Sequence, residues 1–198
     1  MEFFHRAEGR PARLGIFPGT FNPVTVAHMG LARSALRLVD EVVFVLPRAF
    51  PHKAYSGASF ADRVAMLRAA ASAPEPLSIA ATEGGLFLEI ARECRAAYGD
   101  DVKLGLLCGR DAAERAMSWD YDRPEAVPEM LGECELLVAA RGGDYYPPEE
   151  WSGAISRLEL PEDLQQVSAT EVRRRIERGE PWEHLVPEAA RALARRIY

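Results

Sequence analysis

Residues 15–29 read Gly15-Ile16-Phe17-Pro18-Gly19-Thr20-Phe21-Asn22-Pro23-Val24-Thr25-Val26-Ala27-His28-Met29. An apolar strand over residues 14–17 stops at Pro18-Gly19, and the chain breaks again at Asn22-Pro23. It then enters a helix with apolar residues at Val26, Met29, Ala32 and Leu36. A strand, a tight turn and a helix set the first backbone N–H groups of the helix at the carboxyl end of the strand. Those donors have no partner within the helix, and the macrodipole makes that end partly positive. It is a seat for a phosphate. Thr25 stands where it can cap the helix, and His28 follows three residues on, so both side chains face the same way. A capped βα turn with a surface histidine satisfies the same local geometry, so the rest of the chain must separate the two readings.

Working outward, the unit recurs. Residues 41–46 (EVVFVL) form a near-continuous apolar run, the pattern of a strand covered on both faces. It ends at Pro47 and opens a loop, 48–59, containing Pro51-His52-Lys53. Residues 60–71 predict an amphipathic helix with Val64, Leu67 and Ala71 on one stripe. A third strand follows at 77–80, then a helix from about 86 to 98 that Gly99 ends. Residues 103–108 are the fourth strand, leading at once into Gly109-Arg110-Asp111; 135–140 are the fifth, leading into Arg141. Between them Pro124 and Pro128 imply loops or short helical turns. Residues 158–160 form a short last strand. Ser168 and Glu171 make a capping box ahead of a helix that carries Val172 and Ile176 and ends at Gly179. A further amphipathic helix closes the sequence.

Strands alternating with helices predict an α/β fold, a doubly wound parallel sheet with C-terminal helices over about 168–198. Residues 14–198 read as one domain, preceded by an extension, 1–13, in which Gly9-Arg10-Pro11 breaks any element. In such sheets ligands bind beyond the carboxyl ends of the strands, at the topological switch point. Residues 18–28, 52–53, 109–111, 141 and 168–173 each follow a strand, so they share one rim.

Composition narrows the class. Of 198 residues, 48% are hydrophobic and 27% charged, which is globular and not disordered. A net charge of -6 argues against a general nucleic-acid binder but leaves room for a local basic pocket. Cys94, Cys108 and Cys134 are odd in number and widely spaced, as expected of reduced, cytoplasmic thiols. No apolar stretch approaches the roughly 20 residues that span a bilayer, so no membrane role is expected. The four histidines show no zinc-ligand spacing. The oligomeric state is not legible, and a homo-oligomer stays open.

The rim offers backbone N–H groups, an imidazole, a lysine, arginines and capped helix starts. It has no Ser-His-Asp set, no paired carboxylates and no cysteine in a nucleophile motif. That inventory neutralises phosphate charge and positions reactants. Lys53 and Lys103 are the only lysines beside 22 arginines, and Lys53 is either a solvated basic turn or a point charge for a phosphate. Gly109 and Asp111 suit close backbone approach to a nucleotide and acceptance from ribose hydroxyls, or else a turn glycine and a helix cap.

The opening stretch resembles the GGTFDPxHxGH signature of the nucleotidyltransferase superfamily, and the closest likeness is to nicotinate/nicotinamide mononucleotide adenylyltransferases. The Pro51-His52-Lys53 loop, the 60–71 helix, Gly109-Arg110-Asp111, the strand before Arg141, the 167–173 segment (VSATEVR) and the LVPEAA tail are similar to that family too. The resemblance implies a Rossmann-like sheet in the order 3-2-1-4-5. It implies transfer of AMP from ATP to the phosphate of nicotinate or nicotinamide mononucleotide, with Mg²⁺ carried by the ATP phosphates. It implies His28, Lys53, Thr25 and Arg173 as catalytic residues, and Gly19, Thr20, Phe21, Gly109, Asp111, Arg141, Ser168 and Thr170, again with His28 and Arg173, around ATP. Asn22, Trp119 and Phe87 would face the acceptor, Trp119 by stacking on its ring or else only anchoring its loop. Arg141 either touches the nucleotide or neutralises neighbouring carboxylates.

The departures are Pro18 for a glycine, Thr25 for the first histidine, Ala27 for a glycine, and Leu86-Phe87 where a Tyr-Thr pair is usual. With these departures the ATP half of the site is better supported than the acceptor half. Three readings remain: a pyridine-mononucleotide adenylyltransferase; another transferase, acting on pantetheine phosphate or using CTP; and a nucleotide-binding protein without catalysis.

Overall fold

The computed structural model describes residues 1–49, 55–72, 74–118, 123–139 and 145–198. Among them the chain runs β1 (Glu2–His5), β2 (Arg13–Pro18), α1 (Val26–Ala35), β3 (Glu41–Pro47), α2 (Phe60–Ala70), β4 (Leu77–Thr82), α3 (Phe87–Tyr98) and β5 (Lys103–Gly109). It continues through α4 (Arg110–Ser118), α5 (Ala126–Glu133), β6 (Glu135–Ala139), β7 (Ile155–Leu158), α6 (Glu162–Gln165), α7 (Ala169–Arg178) and α8 (Arg191–Ile197).

The strands form one seven-stranded sheet in the order β1-β4-β3-β2-β5-β6-β7. All pairs from β4 to β7 are parallel, and β1 lies antiparallel on β4. Counted from β2, the central five follow the expected order 3-2-1-4-5. The sequence direction reverses between β2 and β5, which sit side by side, so the switch point lies over the turns that follow these two strands.

The central run is apolar throughout because its side chains enter two layers. Val42, Phe44 and Leu46 of β3 join one core with α1, α2, α7 and α8, whereas Val43 and Val45 join the other with α3, α4 and α5. Each layer is closed by helices, as a parallel sheet requires.

Three boundaries differ from expectation. Residues 1–13 supply β1, because Phe3 packs edge-on against Tyr98 at 5.8 Å and Phe4 against Phe60 at 5.7 Å, one ring on each side of the strand. The last strand is Ile155–Leu158, paired with residues 136–139 of β6; Leu160 is buried beyond the ladder, next to Pro161. Pro128 lies inside α5, in its first turn, where the missing N–H has no helical partner to lose.

A buried polar cluster ties the amino ends of the strands together. Glu41 accepts from Ser78 Oγ at 2.5 Å and from the Tyr98 hydroxyl at 2.6 Å, and the Ala7 N–H donates to Ser78 Oγ at 2.9 Å. Burial and the Glu41 carboxylate push the Tyr98 phenol upward. This cluster is at the opposite end of the sheet from the rim. Cys94, Cys108 and Cys134 are free and buried, and burial raises all three thiols, Cys108 and Cys134 to about 12.

Candidate active site

The rim is built on the turn after β2. Gly19 donates its N–H to the Val45 carbonyl at 3.0 Å, which pins the turn to β3. A Cβ on Gly19 would stand 2.8 Å from the ring of Phe21, so only glycine fits. Phe21 itself holds a φ of +47°, in the left-handed region that costs a bulky residue about 1–2 kcal/mol. Its ring compensates by packing edge-on against Phe17 at 5.5 Å, Phe44 at 5.4 Å and His28 at 5.2 Å. The Phe21 side chain is therefore core, and only its backbone can meet a ligand. Arg63 of α2 reaches under the turn, and its guanidinium donates to the Thr20 carbonyl at 3.1 Å.

Thr25 and His28 form a reciprocal cap at the start of α1. The His28 N–H donates to Thr25 Oγ1 at 3.4 Å, and the Thr25 N–H donates to His28 Nδ1 at 2.9 Å. A backbone amide can only donate, so Nδ1 is an acceptor and the ring proton sits on Nε2. The sequence reading paired these residues but did not foresee that the backbone of one fixes the tautomer of the other. Thr25 is wholly buried, so its hydroxyl, 2.9 Å from Nδ1, serves the imidazole.

The start of α7 is the second capped helix end. Ser168 Oγ accepts the Glu171 N–H at 3.1 Å. The expected capping box is only half formed, because the Glu171 carboxylate turns forward to Arg174 and Arg175 instead of back to the cap. Those two guanidinium groups hold Glu171 down at about 2. Arg173 joins the two helix starts: its guanidinium donates to the Asn22 carbonyl at 2.5 Å and lies 3.4 Å from Thr170 Oγ1.

The other expected residues are placed as follows. Gly109 ends β5 beside β2, with open space where a Cβ would be, and Asp111 is exposed in the first turn of α4. Phe87 is the first residue of α3 and packs against the second core, on the far layer from α1. Asn22 turns its side chain to the protein, holding residues 56 and 58 and Tyr198. Lys53, Trp119 and Arg141 lie outside the described residues. Among the described residues no group of three or more His, Cys, Asp and Glu is placed to hold a metal ion.

Arg63, Tyr55 and Tyr198 were not expected here. Arg63 is 3% exposed, stacks over Tyr55 at 4.3 Å, and burial lowers its proton affinity. A signal for it existed: residues 60, 63, 64, 67 and 71 share one helical stripe, so Arg63 is a charge on an otherwise apolar face. Nothing in the sequence marked Tyr198.

Comparison with known proteins agrees with this fold. The sequence model described as cytidylyltransferase-like matches residues 16–175, and with the sheet and rim it defines the class: a nucleotidyltransferase. Proteins named probable nicotinate-nucleotide adenylyltransferase are 31% identical in Chromohalobacter salexigens, over 97% of this chain and 98% of that one, and 32% identical in Chromobacterium violaceum, over 93% and 97%. The chain belongs to the cytidylyltransferase-like family, among its nicotinate-nucleotide adenylyltransferases. The Plasmodium falciparum nicotinic acid mononucleotide adenylyltransferase complexed with NaAD has the same fold, with a TM-score of 0.71 at 16% identity over 93% of this chain and 95% of that one. A second structure of that enzyme, complexed with APC, gives 0.67 at 15% identity, over 93% and 94%.

Proposed function

We propose that this chain transfers the adenylyl group of ATP to the phosphate of nicotinate mononucleotide. A phosphate oxygen of the acceptor forms a bond to the α-phosphorus, the bond from that phosphorus to the β-bridging oxygen breaks, and pyrophosphate leaves. The acceptor phosphate is already anionic at neutral pH, so no general base is needed. The observation that carries the reading is His28, held in one tautomer by Thr25 at the start of α1.

In this mechanism Nε2–H of His28 donates to the α-phosphate as charge builds there. The N–H groups at the start of α7, the Thr170 hydroxyl and Arg173 hold the β and γ oxygens, with Lys53 and Arg141 as further cations and Ser168 fixing the helix end. Gly19, Thr20 and the Phe21 backbone line the path of the triphosphate, and Gly109 with Asp111 takes the ribose. Trp119 and Phe87 are assigned to the acceptor's pyridine, Trp119 by stacking on its ring. The described donors at the rim are N–H groups, an imidazole and guanidinium groups, which suit phosphate oxygens and not a cation. Mg²⁺ therefore belongs on the phosphates, where it neutralises charge. Preorganised donors of this kind are each worth about 10²–10³ in turnover. We place the reaction in the cytoplasm, where buried thiols stay reduced.

The acceptor is put first as nicotinate mononucleotide because the curated relatives carry that name. Thr25 in place of the first histidine favours nicotinamide mononucleotide as the second reading. Pyrophosphate release from ATP or CTP with a panel of acceptors tests both. Dinucleotide formed fastest from ATP and nicotinate mononucleotide is the expected result. ATP binding with no release for any acceptor, or an undiminished His28→Ala protein, refutes the mechanism.

A further inference from the structure

Asn22 lies between the strained Phe21 and the start of α1, and the resemblance implies that it faces the acceptor. Its surroundings assign it differently. The side-chain amide donates to the Ser56 carbonyl at 3.1 Å, and its oxygen accepts the Ala58 N–H at 3.2 Å and the Tyr198 hydroxyl. The two backbone partners settle which end of the amide is which, since a carbonyl must meet the NH₂ and an amide N–H must meet the oxygen. Both lone pairs of the oxygen and one amide hydrogen are used within the protein. The residue is 3% exposed, so its side chain is enclosed by these partners.

The segment it grips is the exit of the 48–59 loop. Gly57 presses so closely on the Asn22 amide that a Cβ there would collide with it, and its φ of +127° is one that glycine alone adopts readily. Tyr55 closes the same segment by donating to the Ala58 carbonyl at 2.6 Å, and Arg63 stacks on the Tyr55 ring at 4.3 Å while holding Thr20. From the other side Arg173 holds the Asn22 backbone carbonyl at 2.5 Å. One asparagine thus ties the phosphate turn to α7, to Tyr198 and to a loop exit at Ser56 and Ala58, three and five positions along the chain from Lys53.

We propose that Asn22 is a positioning residue: its side chain fastens the loop exit to the phosphate turn and makes no contact with the acceptor nucleotide. An aspartate would have nearly the same shape but would set a carboxylate oxygen against the Ser56 carbonyl, turning one tether into a repulsion. The kinetic consequence rests on the adenylyl transfer proposed above; the tether does not.

The test is Asn22→Asp, read by hydrogen exchange of residues 55–59 in the free protein and by steady-state kinetics. Exchange in that segment is expected to speed up at least tenfold. The kcat/KM for ATP should fall about tenfold or more while KM for the acceptor stays within twofold. A purely structural role would slow both substrates alike. A raised acceptor KM with unchanged exchange would mean that the side chain reads the acceptor, and unchanged exchange with unchanged kinetics would mean that it tethers nothing; either result overturns the proposal. If Asn22→Asp fails to fold, Tyr198→Phe removes a single partner of the same oxygen, and the same pattern is expected at about two- to fivefold. A wild-type protein that forms no dinucleotide would sink the proposed reaction, and the exchange measurement would still decide the tether.

Discussion

Thr25→Val separates the two jobs assigned to the start of α1. Valine keeps the branched shape of threonine and tolerates the extended backbone of the cap, φ −122° and ψ 165°. What disappears is the hydroxyl that accepts the His28 N–H at 3.4 Å and sits 2.9 Å from Nδ1. Losing such a cap costs about 0.5–2 kcal/mol. The 3.4 Å bond is long, which argues for the lower half of that range, about 1 kcal/mol. In a chain of 198 residues that is a Tm decrease of about 2–4 °C. The Thr25 N–H still donates to Nδ1, so the ring keeps its tautomer and Nε2–H keeps its direction. Turnover is therefore expected to fall less than about tenfold, whereas His28→Ala should lose about 10²–10³. A thermal melt and a pyrophosphate-release assay on the two variants measure both numbers. If Thr25→Val is as inactive as His28→Ala, the hydroxyl takes part in the chemistry and the argument from burial is wrong. An unshifted Tm would show that the cap contributes nothing.

Other consequences are simpler to check. Gly57→Ala forces a φ of +127° on an L residue and drives its Cβ into Asn22, so Tm is expected to fall by several degrees; a neutral melt would refute the close approach. Glu171 is held at about 2 against an ordinary 4.5, so the stability from its arginine pair is complete above pH 4.5 and is lost as pH falls toward 2. The Tm gap between wild type and Glu171→Gln should close over that window, and a gap constant with pH would contradict it. The thiols of Cys108 and Cys134, raised to about 12, and the buried Cys94 should be silent to a thiol reagent at pH 8 until denaturant is added; fast labelling of the native protein would contradict their burial.

Much of the fold was legible because a two-layered α/β protein writes its strands as apolar runs. Residues 41–46 could be recognised without alternation, since Phe44 and Val45 are buried on opposite sides of one sheet. The turn after residue 17 was legible for the same reason of scarcity: few local sequences put Gly, Pro, Asn and a capping Thr in eight positions. What escaped were contacts between segments far apart in the chain. Phe3 and Phe4 can be read as a pair able to pack on the body, but nothing local names Tyr98 and Phe60 as their partners. Asn22 was set against the acceptor by the resemblance alone, and its partners in residues 56–58 stand 34 to 36 positions later, beyond the reach of any local pattern. Arg63 was passed over as part of a packing helix, although a charge on an apolar stripe asks for a buried acceptor, here the Thr20 carbonyl.

The four-residue strand at the start of the chain has a consequence for solubility. Without it, β4 would be the border of the sheet: six residues, all buried, with a row of unpaired N–H and C=O groups. Such a border invites another molecule to add a strand, and runaway association follows. β1 covers that row with a strip too short to serve as a template, and Glu2, bridged to Arg48, sets a charged pair along the new border. A hem of four residues closes this border of the sheet within the chain.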